Sequence, residues 1–435
     1  MARTYLAFLG TNDYLPCTYC FGEEEVAGVR FVQEATVHFF CRDWGAGDRI
    51  LILATPQAEE KNWRDDGHRD RDGHPLRREG LAGRLQRLGP AARVERALIP
   101  EGKDEGEIWE IFQVLYRELG EGDRVVFDIT HALRHIPMLA LVALNYAKVL
   151  KQVSVAGIYY GAFEVLGPQR EVEKIPVPDR RAPIFDLTPF DTLLAWGVAV
   201  DRFLGAGEAG PVAALAHGAV EPILRQTQGK DAAARAIRGL ASSLQAFTRA
   251  VATCRGPRLR DRGAKLRQDL EAAQKLEVLP PLQPLLGRMA QRLPAFEGDW
   301  LRDGLKAAQW CLDHNLIQQG FTILQEFLVS WVAVSNELAY QHKAHRELVT
   351  QAVTIARNAL PEEEWLANAR KHADQTRRLL AFLGSAPWVG KIFGDLSQWR
   401  NDLNHAAFIS DPRSGENFPK KLQDLIETVT HHLER

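Results

Sequence analysis

Cysteine is scarce. Five in 435 residues is an odd number that cannot make a disulfide framework, so a reducing cytoplasm is the expected setting. An excess of one charge is missing too. A formal net charge of −2 does not suit a protein that coats nucleic acid without specificity, so any nucleic-acid site must be local. No apolar run is long and clean enough for a membrane. The longest, "IPMLALVALNYAKVL" from Ile136, is broken by Asn145 and Lys148 and predicts a buried helix. The opening "MARTYLAFLGTND" has one arginine, a very short apolar stretch and no small-residue cleavage pattern, so no export signal is expected. What is present is ordinary globular material. At 46% hydrophobic and 25% charged it has the composition of a soluble fold, long enough for roughly two to four domains.

The first ~175 residues alternate β-type and helix-type runs, the pattern of βαβ units. Five strands are expected: "TYLAFLG" (Thr4–Gly10), "RILILA" (Arg49–Ala54), "RVERALI" (Arg93–Ile99), "RVVFDIT" (Arg124–Thr130) and "VSVAGIYYG" (Val153–Gly161). "VRFVQEATVHFF" and "GEIWEIFQVLYREL", between them, have helical spacing. Four prolines in "IPVPDRRAPIFDLTP" then mark a change, and from Asp191 onward the period is helical throughout. The expectation is an α/β domain over 1–178 with a parallel sheet ordered about 3-2-1-4-5. A linker over 179–190 and an all-α domain over 191–435 follow.

Ligands of open parallel sheets bind beyond the C-terminal strand ends, where strand order reverses. Two such loops are chemically loaded. One is "GTNDY", where Gly10 permits close backbone approach and Thr11 and Asn12 offer short polar side chains. The other is "DITHALRHIP", with Asp128, Thr130, His131 and then Arg134 in the first helical turn. In a 3-2-1-4-5 sheet these loops are neighbours, and a helix N-terminus with an arginine suits an anion. The plainer alternative is that Thr11, Asn12 and Thr130 only cap helices. Neither loop carries G-x-G-x-x-G, so a dinucleotide is disfavoured. "PCTYC" (Pro16–Cys20) has no second cysteine pair for zinc. His68 and His74 of "DGHRDRDGHP" read as solvated loop residues with no closed ligand set, so no metal is expected.

Near the C-terminus "QWRNDLNHAAF" holds Arg400, Asn401, Asn404 and His405. Cutting RNA without metal requires a proton carrier for the 2′-hydroxyl attack and the leaving 5′-oxygen, and a cation for the phosphorane. Histidine and arginine supply these, and Asn401 or Asn404 can orient them. Five positions along a helix separate two residues by about 140°, so one copy does not focus both groups on a point. Two copies across a twofold axis can, which implies a homodimer. The alternative is a polar helix face, with Arg400 and Asp402 in ordinary surface pairs.

Together, "FLGTNDY", "LATPQAEEKNW", "FDITHALRHIPMLAL", "APIFDLTPFDTLLAW", "HNLIQQGFTILQEFLVSW" and "WRNDLNHAAF" make the chain resemble the CARF–HEPN ribonucleases that accompany type III CRISPR systems. Ala132 stands where that pattern has glycine or serine. The resemblance implies a Rossmann-like sensor binding a cyclic oligoadenylate, preferably cyclic tetra-adenylate, at a dimer interface through Gly10, Thr11, Asn12, Asp128, Thr130, His131 and Arg134. It implies a helical HEPN endoribonuclease with Arg400 and His405 as the catalytic pair and Asn401 in support. Such an enzyme takes no cofactor. It cuts single-stranded RNA to leave 2′,3′-cyclic phosphate and 5′-hydroxyl ends. The basic stretch Cys254–Glu277 would guide that RNA or be a solvated helix face. Two readings compete: a ligand-responsive regulator without nuclease activity, and a sensor that degrades its own activator.

Overall fold

The computed structural model describes residues 2–70, 72–131, 136–275 and 282–434. Ala132 and Arg134, singled out above, lie outside these residues. The chain divides into two compact units, residues 1–192 and 193–435.

The first unit is built on eight strands: β1 (Arg3–Leu9), β2 (Cys17–Phe21), β3 (Glu24–Val29), β4 (Arg49–Ala54), β5 (Arg93–Leu98), β6 (Arg124–Asp128), β7 (Ser154–Gly161) and β8 (Arg181–Asp186). Their order is β3-β2-β8-β7-β6-β1-β4-β5. The five expected strands are β1, β4, β5, β6 and β7. They stand in the expected 3-2-1-4-5 order and pair in parallel. β1 shows why its sequence is continuously apolar. Leu6 and Phe8 enter one core with Leu51, Leu53 and Phe127. Tyr5, Ala7 and Leu9 enter the core on the opposite face with Ile50 and Ile52.

Three strands depart from the expectation. β8 occupies half of the segment read as a linker, pairing antiparallel with β7 and parallel with β2. β2 and β3 form an antiparallel pair at the sheet's end. The cysteines of "PCTYC" sit on β2 as free thiols, Cys17 buried and Cys20 half-buried.

The second unit is helical, with no strand among the described residues. Two successive helices, Trp300–Asp313 and Ile317–Ser335, serve two cores. Trp310, Cys311, Ile323 and Phe327 pack with the helices before them. Leu301, Ala308, Phe321, Leu324 and Leu328 pack with those after. The helix Trp388–Asn404 lies along Ile317–Ser335, where Phe321 stacks on Trp399 at 6.2 Å and Gln325 Nε2 donates to Ser397 Oγ at 2.9 Å.

Candidate functional site

β1 lies between β4 and β6, and the chain crosses from one side of it to the other after β5. The crevice therefore opens where β1 and β6 end. A cavity of about 310 Å³ there is lined by Gly10, Thr11, Asn12, Tyr14, Thr130 and His131, with Thr55, Gln57 and Glu101 from the β4 and β5 ends. A second, of about 280 Å³, shares Asn12, Tyr14, Thr130 and His131 and extends to Arg30, Tyr160 and Gln169.

The loop after β1 is held from behind. Asn62, fully buried, donates through Nδ2 to the carbonyls of Gly10 (2.8 Å) and Asn12 (2.9 Å). Its Oδ1 accepts from Arg30 Nη2 at 3.2 Å and faces His68 Nε2 at 2.9 Å. Arg30 also reaches Asp13 at 2.9 Å and donates to the Tyr14 carbonyl at 3.3 Å. His68 was expected to be solvated; instead it is buried, and burial lowers its pKa. The cause is local. The chain folds back on itself over Asp66–Arg78, with Leu76 N donating to the His68 carbonyl at 2.7 Å. His74 stays exposed, beside Asp70 and Asp72.

Gly10 leaves no room for a side chain while Tyr14 keeps its place. A Cβ there would sit 2.1 Å from the Tyr14 hydroxyl and 3.7 Å from His131 Cβ. Tyr14 in turn stacks on His131, ring centroids 4.2 Å apart. Burial holds the His131 imidazole down at about 4, so the ring is neutral at physiological pH, and Nε2 has no partner among the described residues. Burial pushes the Tyr14 hydroxyl up.

Asp128 does not line either cavity. It is buried under the loop, accepting from Tyr5 Oη (3.0 Å), Thr36 Oγ1 (2.8 Å) and Thr130 N (2.9 Å), and burial raises its pKa. Thr130 Oγ1 accepts from Gly161 N at 2.9 Å, which ties the β6 loop to β7. Thr130 thus braces its loop and still lines the pocket.

Arg400, Asn401 and His405 lie at the end of the helix Trp388–Asn404, with His405 at its cap. Arg400 is partly buried, and its Nη1 donates to Glu326 Oε1 at 3.2 Å. Glu326 also binds Arg346 at 2.5 Å. Asn401 and His405 are exposed, and Asn404 Oδ1 accepts from Gln318 Nε2 at 3.2 Å. The surface-pair alternative fails for Asp402. It is buried and bound by Arg413 through backbone N (3.0 Å) and Nη1 (3.3 Å). In the basic stretch, Arg260 pairs with buried Asp303 at 2.8 Å, and Lys265 and Arg267 are also engaged. Arg255, Arg258 and Arg262 are exposed, without an ion pair among the described residues.

Reading loops alone missed Asn62, Arg30, Tyr14 and Glu326, since each acts across the fold. Tyr14, Asn62 and Glu326 do fall within quoted stretches, "FLGTNDY", "LATPQAEEKNW" and "HNLIQQGFTILQEFLVSW".

Residues 4–164 match the family described as CRISPR system endoribonuclease Csx1, CARF domain. The chain is also 39% identical over 94 residues to the CRISPR-associated protein MJ1674 of Methanocaldococcus jannaschii. That match spans 21% of this chain and 14% of the relative. The pocket loops after β1 and β6 both fall inside the matched 4–164 region, which is similar to the CARF domain of that family.

Proposed function

We propose that the chain is a CRISPR-associated endoribonuclease switched on by a cyclic oligoadenylate, preferably cyclic tetra-adenylate, and working as a homodimer. The observation that carries this reading is the pocket at the ends of β1 and β6, which lies within the CARF match. Backbone groups at Gly10–Asn12, the Thr130 hydroxyl and the neutral His131 edge suit ribose, base and phosphate contacts. Arg134, three residues after His131 in the sequence, lies outside the described residues.

In the helical unit Arg400 neutralises the phosphorane, and His405 moves the proton to or from the 2′- or 5′-oxygen. Asn401 positions the phosphate or the imidazole. A partly buried arginine fixed to Glu326, with an exposed histidine at the helix cap, makes half of a composite cleft; a second copy supplies the rest. No helix is long and apolar enough to cross a membrane among the described residues.

The test is cleavage of a labelled single-stranded RNA in EDTA, with no ring, cyclic tetra-adenylate or cyclic hexa-adenylate. Wild type is expected to cut only with one ring and to leave a 2′,3′-cyclic phosphate. Arg400→Ala/His405→Ala is expected to lose roughly 10²–10⁴-fold in rate while still binding the ring. Ring binding without cleavage under any condition overturns the nuclease and leaves a ligand-responsive regulator.

A further inference from the structure

We infer that Glu326, pinned by Arg346, is a positioning residue that holds the Arg400 guanidinium where a scissile phosphate can meet it. This rests on the reading of the helical unit as a ribonuclease.

Arg400 is on the helix Trp388–Asn404, Glu326 on Ile317–Ser335 and Arg346 on Lys343–Asn358. The three side chains are joined bond to bond. Arg400 Nη1 donates to Glu326 Oε1 at 3.2 Å, and Arg346 Nη2 donates to Glu326 Oε2 at 2.5 Å. The two arginines are used differently. Arg346 spends its terminal N–H groups within the fold. Its Nη2 also donates to the Glu326 carbonyl at 3.1 Å, and its Nη1 to Ser330 Oγ and the Tyr340 carbonyl, both at 2.9 Å. Ser330 Oγ in turn donates to the Glu326 carbonyl at 2.8 Å. Arg400 gives only Nη1 among the described residues and keeps its other donors for a phosphate oxygen. Arg346 is the brace, and Arg400 is the group left to act.

Charge follows the same division. Arg346 and Arg400 share the one Glu326 carboxylate, so Arg346 balances it and Arg400 retains its charge for the phosphorane. Glu326 is anchored through its neighbours, since Gln325 and Phe327 are both buried. Its own side chain is 48% exposed, where an ion pair adds little to stability. Rate is far more sensitive to placement, because a misplacement of about 1 Å can cost roughly 10²-fold. The contact therefore has its weight in the reaction and not in the fold.

The test is steady-state cleavage of a labelled single-stranded RNA by the full chain with the activating ring, alongside thermal melts. Glu326→Ala should lower kcat roughly 10²-fold, with KM within about twofold and Tm within a few degrees of wild type. Glu326→Gln, whose amide oxygen can serve only one of the two arginines, should fall between. Arg346→Ala should lower kcat roughly tenfold, and Arg346→Lys, which keeps the charge but not the fork, should lose less. In a Glu326→Ala background, Arg346→Ala should add little, since both residues act through Arg400. A Glu326→Ala protein that cuts as fast as wild type, or faster, overturns the positioning role and keeps the ribonuclease. So does a loss of rate that only follows a fall in Tm. A wild type that cuts under no condition overturns the ribonuclease reading, and the positioning role with it.

Discussion

Gly10 and His131 meet through Tyr14, and both can be tested singly. In Gly10→Ala the new methyl sits 2.1 Å from the Tyr14 hydroxyl, so Tyr14 must leave its stack on His131. The clash is with a side chain at the pocket mouth, not with the sheet. Ring affinity, measured by calorimetric titration, should therefore fall about tenfold or more, with melting temperature within a few degrees of wild type. His131 gives a pH signature. An unfolded histidine titrates near 6.5, whereas here burial holds the ring at about 4. Between these values the unfolded chain takes up a proton that the folded chain refuses. This contribution is complete above pH 6.5, is lost as pH falls toward 4, and is level below, amounting to about 3 kcal/mol at most. Asp128 works in the opposite sense. Its raised pKa means that the folded state takes its proton first, adding stability as pH falls below that value. The difference between wild type and His131→Gln isolates the histidine. In urea melts that difference should shrink from pH 7 to pH 4.5, and a constant difference would mean the ring is not desolvated.

The elements decide what a sequence reading can see. β1, β4 and β6 announced themselves because both their faces are buried, which demands near-continuous apolar residues. β3 lies at the sheet edge with Glu24 and Glu25 in water, so its run carries no such signal. β8 carries Pro183, and proline inside a run argues against a strand. It is tolerated because the Pro183 carbonyl still accepts from Ala162 N at 2.9 Å. The loops of the candidate pocket were legible because strand order places them side by side. Asn62 and His68 were not, since their partners lie some fifty residues away or behind an irregular fold-back. β8 also yields a prediction. A fragment ending at residue 178 leaves β7 and β2 without the strand between them, whereas one ending at 192 keeps the whole first unit. The longer fragment should unfold cooperatively. The shorter one should aggregate or melt broadly, as checked by circular dichroism and light scattering. Equal behaviour would show that β8 contributes nothing to the sheet's integrity.

At the scale of the whole molecule the unpartnered surface points to a second copy. On the helix Ile136–Leu150, Met138, Val142, Tyr146 and Val149 are 68%, 57%, 48% and 79% exposed. Spacings of four, four and three put them in one stripe. The stripe continues through ring contacts from Tyr146 to Phe112 (5.6 Å) and from Phe112 to Trp109 (5.8 Å), and Trp109 is 57% exposed. A contiguous apolar patch of this kind is what a protein surface avoids unless something covers it. A twofold partner would present the same stripe in return, and it lies on the helix that follows the His131 loop. Ring binding and self-association would then be linked, because a ligand shared across the axis favours the paired state by its differential affinity. Val142→Asp puts a charge in the middle of the stripe without touching the cavities. Wild type should sediment as a dimer and the variant as a monomer, with ring affinity reduced and RNA cleavage lost at protein concentrations where wild type cuts. A variant that remains dimeric and fully activated would place the interface elsewhere, and the composite cleft proposed for Arg400 and His405 would have to be assembled by another surface.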